Sequence, residues 1–160
     1  MKYVYFIFFL SINLLSFGQL KVDSQTYTPQ QLIEDILIDS DCISNVQVTN
    51  VIGGNFGNSD QSYGYFDATG TSFPFQRGIV LSTGKLLNVE GPNDRLSDDD
   101  APGWIGDSDL ENILNEPNTI NATIIEFDFT AIASQISFRY LFASEEYQVN
   151  NANTCKYSDL

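Results

Sequence analysis

Two stretches in the second half of the chain alternate apolar and polar residues with a period of two. In Ile125-Glu126-Phe127-Asp128-Phe129 the three apolar side chains share one face. In Ile136-Ser137-Phe138-Arg139-Tyr140-Leu141-Phe142 the aromatic and aliphatic row is Ile136, Phe138, Tyr140 and Phe142. That period belongs to a half-buried strand and not to a helix. Earlier segments carry the same character. Ile43–Ile52 holds Val46, Val48, Val51 and Ile52, Tyr63–Phe66 and Phe73–Phe75 are short aromatic strands, and Gly78-Ile-Val-Leu-Ser-Thr-Gly84 is an apolar run bounded by glycines. Short strands separated by Gly/Asn turns such as Gly53–Asn58 predict a mainly β fold, an antiparallel β-sandwich-like domain.

One short N-terminal α-helix is the exception. Thr28 is placed to cap it, Pro29 suits the first helical position, and Gln31 completes a capping box. Leu32, Ile33, Ile36 and Leu37 make its apolar face, and the helix should end near Ile38. A long polar loop is expected from Glu90 to Asn121.

The first residues form a three-part export signal. Lys2 supplies the positive charge, Tyr3–Leu15 is apolar apart from Ser11 and Asn13, and Ser16 and Gly18 are small residues before a cut at Gln19. The division is therefore 1–18 signal peptide and 19–160 one β domain. The apolar run is too short for a spanning helix of about 20 residues. No second such run follows, so no integral span is expected after cleavage. A secreted or cell-surface location follows.

Composition narrows the function. The chain has 21 acidic and seven basic side chains, a net charge of −14, and no histidine. Such a field repels nucleic acid. Without histidine, His-dependent catalytic triads and His-ligated zinc sites are excluded. Cys42 and Cys155 are the two cysteines. An even count in an exported chain predicts a disulfide between them, worth about 4 kcal/mol for so long a loop in the chain-entropy account. Two free buried thiols are the alternative.

Asp94, Asp98, Asp99, Asp100, Asp107, Asp109 and Glu111 crowd the polar loop, with Arg95 the basic residue among them. Asp107, Asp109 and Glu111 fall on alternate residues, so an extended or looping backbone would aim them at one centre. Together with Asp98, Asp99 and Asp100 they are candidate ligands for Ca²⁺, which takes six to eight oxygens. The alternative is a solvated, solubilising loop. Trp104 lies in the same loop and is a candidate binding platform for a glycan or protein, or else a packing residue at the core edge. Glu145 and Glu146 form an adjacent carboxylate pair. Neighbours on a strand point to opposite faces, which suits a structural or cation-binding role better than glycosidic acid/base work. Ser82 and Ser144 have no base nearby in sequence.

Taken in order, Thr28-Pro-Gln-Gln-Leu32, Cys42, Gly78–Gly84, Gly91-Pro-Asn93, Asp107–Leu110, Ile125–Phe129 and Phe138-Arg-Tyr-Leu-Phe-Ala-Ser-Glu-Glu-Tyr147 resemble the choice-of-anchor L domain. The specific parts are the Gly78–Gly84 block and Phe142-Ala-Ser-Glu-Glu-Tyr147. The resemblance implies an extracellular or surface protein of the kind common in Bacteroidetes-like bacteria, often carrying type IX sorting tails. It implies no enzymatic activity and no particular ligand. In the family the pattern runs on past the place of Cys155–Leu160 into a further hydrophobic strand, so an incomplete domain is expected here. The function expected is a non-enzymatic secreted or surface binding module of adhesion type, with calcium as a candidate stabiliser. The alternatives are a secreted glycosidase-like hydrolase using paired carboxylates, or a purely structural domain of a larger surface protein.

Overall fold

The computed structural model describes residues 18–38, 40–58, 60–91 and 99–144. Residues 1–17 of the expected export signal, Asp94, Arg95, Asp98, Glu145, Glu146 and Cys155 lie outside the described residues.

The chain opens with strand β1 (Lys21–Asp23). At Thr28 the capping box forms in full: the Thr28 hydroxyl accepts from Gln31 N–H, and the Gln31 side chain accepts from Thr28 N–H. Helix α1 (Pro29–Gln31) starts there and continues as a π-helical stretch, Leu32–Leu37. The wider winding shows in the bond from Ile38 N–H to Ile33 O, five residues back. The expected single α-helix is thus mostly π-helical. Leu32 and Ile33 are its buried residues.

Six strands follow: β2 (Ile43–Ile52), β3 (Asn55–Gly57), β4 (Asp60–Gln61), β5 (Tyr63–Asp67), β6 (Arg77–Leu81) and, after a helical interlude, β7 (Ile124–Ala131). They form three small antiparallel sheets with orders β1-β5-β6, β2-β7 and β3-β4. The mainly β, antiparallel class holds. The β2-β7 pair joins segments eighty residues apart, with Val48 opposite Phe127 and Val51 opposite Ile125.

The central strand β5 presents Gly64 to a crowded spot. A Cβ there would stand 2.4 Å from Asp23 O and 2.6 Å from Leu86 Cδ2, so the missing side chain lets β1 and Leu86 close over the sheet. Leu86 heads a 3₁₀ turn, Leu86–Glu90, and is fully buried with Leu32 and Ile33. Burying such side chains stabilises by roughly 1.5–3 kcal/mol each.

Three expectations change. Phe73–Phe75 forms no strand. Pro74 has no N–H to give a ladder, and the rings serve the β5–β6 connection instead: Phe73 packs edge-on to Phe66 and Phe75. The Glu90–Asn121 segment is not all loop, because Ser108–Leu114 forms helix α2. Ile136–Phe142 has no ladder partner among the described residues, and its whole length is exposed. Its alternation signals a capacity for half-burial, which a strand realises only against a second strand.

Candidate functional site

Asp107 explains why a helix forms in the acidic loop. Its backbone is extended, and its Oδ1 accepts from Leu110 N–H at 2.6 Å, a side-chain N-cap. Leu110, Ile113 and Leu114 then follow at helical spacing. Asn115, in the left-handed region at φ 57°, stops the helix. Asp109 and Glu111 stand in the first turn, where carboxylates complement the helix dipole.

The Glu111 carboxylate reaches on to the chain beyond the helix. Glu111 Oε1 accepts from Thr119 N–H at 2.7 Å and from Thr119 Oγ1 at 2.9 Å. The Thr119 hydroxyl in turn accepts from Asp107 N–H at 3.0 Å. Gly106 permits this approach: a Cβ there would lie 2.0 Å from Thr119 O.

Asp99 and Asp100 are also committed. Asp99 Oδ1 pairs with Lys85 Nζ at 2.7 Å, and Asp99 Oδ2 accepts from the Asn88 amide. Burial opposes the charge on Asp99, but its bonds to Lys85 and Asn88 and the Lys85 charge hold its carboxyl below the usual range. Asp100 Oδ1 accepts from Ala101 N–H at 2.7 Å and from Asn121 Nδ2 at 3.2 Å.

The alternate spacing of Asp107, Asp109 and Glu111 falls at the start of helix α2. Asp107 keeps extended backbone as the N-cap, while Asp109 and Glu111 lie in the first helical turn rather than on an extended or looping segment. Among the described residues no three His, Cys, Asp or Glu side chains come together as a metal site. Asp98 lies outside the described residues.

Trp104 is 7% exposed. Its Nε1–H donates to Ala122 O at 2.7 Å, and its ring meets Phe56 edge-on with centroids 5.6 Å apart. A Cβ on Gly54 would approach the indole to 2.7 Å. The side chain seals the edge of the core, the packing alternative, and offers no open face to a sugar. Cys42 carries a free, exposed thiol just before β2; the Cys155 half of the expected disulfide lies outside the described residues. Ser82 Oγ accepts from Gly84 N–H at 3.0 Å, a turn bond rather than a nucleophile's arrangement.

The polar group that sequence reasoning missed is Asp60. It is 6% exposed; Oδ1 accepts from Gln61 N–H at 2.9 Å, and Oδ2 has no well-formed hydrogen bond. Burial pushes its carboxyl above the ordinary range, against the Gln61 and Leu87 N–H groups and the Lys85 charge. Nothing in Asn58-Ser59-Asp60 distinguishes it from an exposed turn aspartate. No helix among the described residues is long and apolar enough to cross a membrane.

Comparison with known proteins adds one finding. The family model described as the choice-of-anchor L domain matches residues 21–160. No curated protein and no solved structure matches the chain.

Proposed function

Starting from the chain's membership of the choice-of-anchor L domain family, whose surface-associated modules are not known as enzymes, we propose a non-catalytic role. The chain is an exported module that binds a glycan or protein outside the cell, and its acidic loop is structural. One observation supports the non-catalytic part: Asp99, Asp100, Asp107 and Glu111 each give at least one carboxylate oxygen to hydrogen bonds that hold the loop together. Carboxylates working as acid, base or nucleophile face a substrate across an open cleft, whereas these four face donors of the protein itself. Export rests on Lys2, the apolar run to Leu15 and the small residues Ser16 and Gly18. The net charge of −14 favours neutral or cationic ligands over nucleic acid.

Export is checked by expressing the full chain in a secreting bacterial host. N-terminal sequencing of the extracellular product should begin at Gln19. Retention of the product in the cytoplasm with Met1 intact would overturn the export half. For binding, beads coated with the exported chain should be retained saturably on extracellular polymer or cell surfaces. Retention no better than that of beads coated with a protein of equal charge would overturn that half.

A further inference from the structure

We propose that two copies of this chain associate by strand exchange, each laying its Ile136–Phe142 segment along the free edge of the other's β7. Each molecule holds the two halves of this pairing, and neither half is filled among its described residues. β7 is bonded to β2 on one edge, and no described strand lies along its other edge. The outer edge of β2 is different: the Gln30 amide donates to Val46 O and accepts from Val48 N–H, both at 2.8 Å, and so occupies the edge. The sheet therefore grows on the β7 side. An exposed strand edge is a template for a further strand.

The segment is shaped for that place. Phe138 and Tyr140, two residues apart, have ring centroids 6.1 Å apart on one side of the chain, close to the roughly 6.6 Å advance of two residues in a strand. These rings are 75% and 79% exposed, and Ile136 and Phe142 are exposed beside them. The two sequences also match face for face. β7 has Ile125, Phe127 and Phe129 on its apolar side and exposed Glu126 and Asp128 on the other; the segment has Ile136, Phe138, Tyr140 and Phe142 against Arg139. Pairing sets apolar beside apolar and puts Arg139 across from two carboxylates, the cross-strand arrangement that stabilises a ladder. In a chain with 21 acidic and seven basic side chains, a basic residue at this point is selective.

The occupant is a second copy because each chain's own segment is led elsewhere. After bends at Ile132–Ser134 it runs with the Arg139 guanidinium 4.7 Å over the Phe75 ring, and no described strand lies along its own β7 edge. Reciprocal exchange fills both edges at once and closes with two-fold symmetry, leaving no open end for a fibre.

The test is sedimentation of the exported full chain over a concentration series, with amide hydrogen exchange at each end of the series. A discrete dimer is expected, with slowed exchange in Ile124–Ala131 and Ile136–Phe142. Arg139→Glu should weaken the dimer several-fold, and Glu126→Lys with Asp128→Lys in the same chain should restore it. Phe138→Ser, which removes an exposed ring, should shift the equilibrium to monomer without unfolding the chain by circular dichroism. A monomer at every concentration overturns the proposal. So does a monomer whose β7 and Ile136–Phe142 amides are already protected, which would place the chain's own segment on its own edge. A dimer indifferent to all three changes, or open-ended polymers, also overturns it.

Discussion

Glu111 and Thr119 are joined twice through a single oxygen: Glu111 Oε1 takes both the backbone N–H and the hydroxyl of Thr119, at 2.7 and 2.9 Å. This pair ties helix α2 to the chain that leads into β7, and Gly106 leaves room for it. Gly106→Ala drives a Cβ into the Thr119 carbonyl, and backbone cannot give way as a flexible side chain does. The loss should reach about 1–3 kcal/mol, read as a lower urea midpoint with an unchanged m-value. Thr119→Val should cost about 1 kcal/mol by removing the hydroxyl.

Asp107 should matter as a cap. Asp107→Ala removes the acceptor for Leu110 N–H and should cost about 1 kcal/mol. The size of that loss should be the same in EDTA and in Ca²⁺. A loss that appears only when Ca²⁺ is present would return Asp107 to the role of a metal ligand.

Asp60 and Asp99 should give opposite pH dependences. The Asp60 carboxyl is raised by burial. Its contribution to stability is therefore fully present below the ordinary carboxylate range and is lost as pH rises through the raised value. Asp60→Asn should stabilise the protein at neutral pH, and the gain should shrink on acidification. Asp99 is held low in spite of burial by Lys85 and Asn88, so its contribution is present at neutral pH and is lost as pH falls through the lowered value. Asp99→Asn should destabilise at neutral pH and converge on the parent in acid. Thermal melts across the acid range measure both slopes.

Trp104 should behave as a core residue. Its emission should be blue-shifted and poorly quenched by iodide, and saccharides should leave it unchanged. Trp104→Phe removes the bond to Ala122 O and should cost about 1–2 kcal/mol, combining a lost hydrogen bond with a partly filled cavity.

What could be read from the sequence was local. The Thr28–Gln31 box and the alternation of Ile125–Phe129 are each decided within a few residues, and both formed, the latter within β7. The partners of those strands are decided by packing between distant segments, so the β2-β7 pairing left no local mark. Helix α2 did leave one, Asp107 ahead of Leu110, Ile113 and Leu114, but the density of acidic residues argued for loop. Phe73–Phe75 shows the converse: aromatic composition suggested a strand, and Pro74 denied it a ladder. In the candidate site the carboxylates of Asp99, Asp107 and Glu111 were visible as charges. Their donors, Lys85, Leu110 and Thr119, became visible only once the chain was folded. Asp60 had no signal at all, since burial of a turn aspartate depends on what packs over it.

The central claim, binding without chemistry, is tested most directly by incubating the purified chain with a panel of extracellular polysaccharides and surface proteins. Bound protein and newly released ends are measured in the same tube. Saturable retention with no release above the protein-free control is the result this account predicts. Release of reducing ends or new amino termini that grows with time and with protein concentration would contradict it.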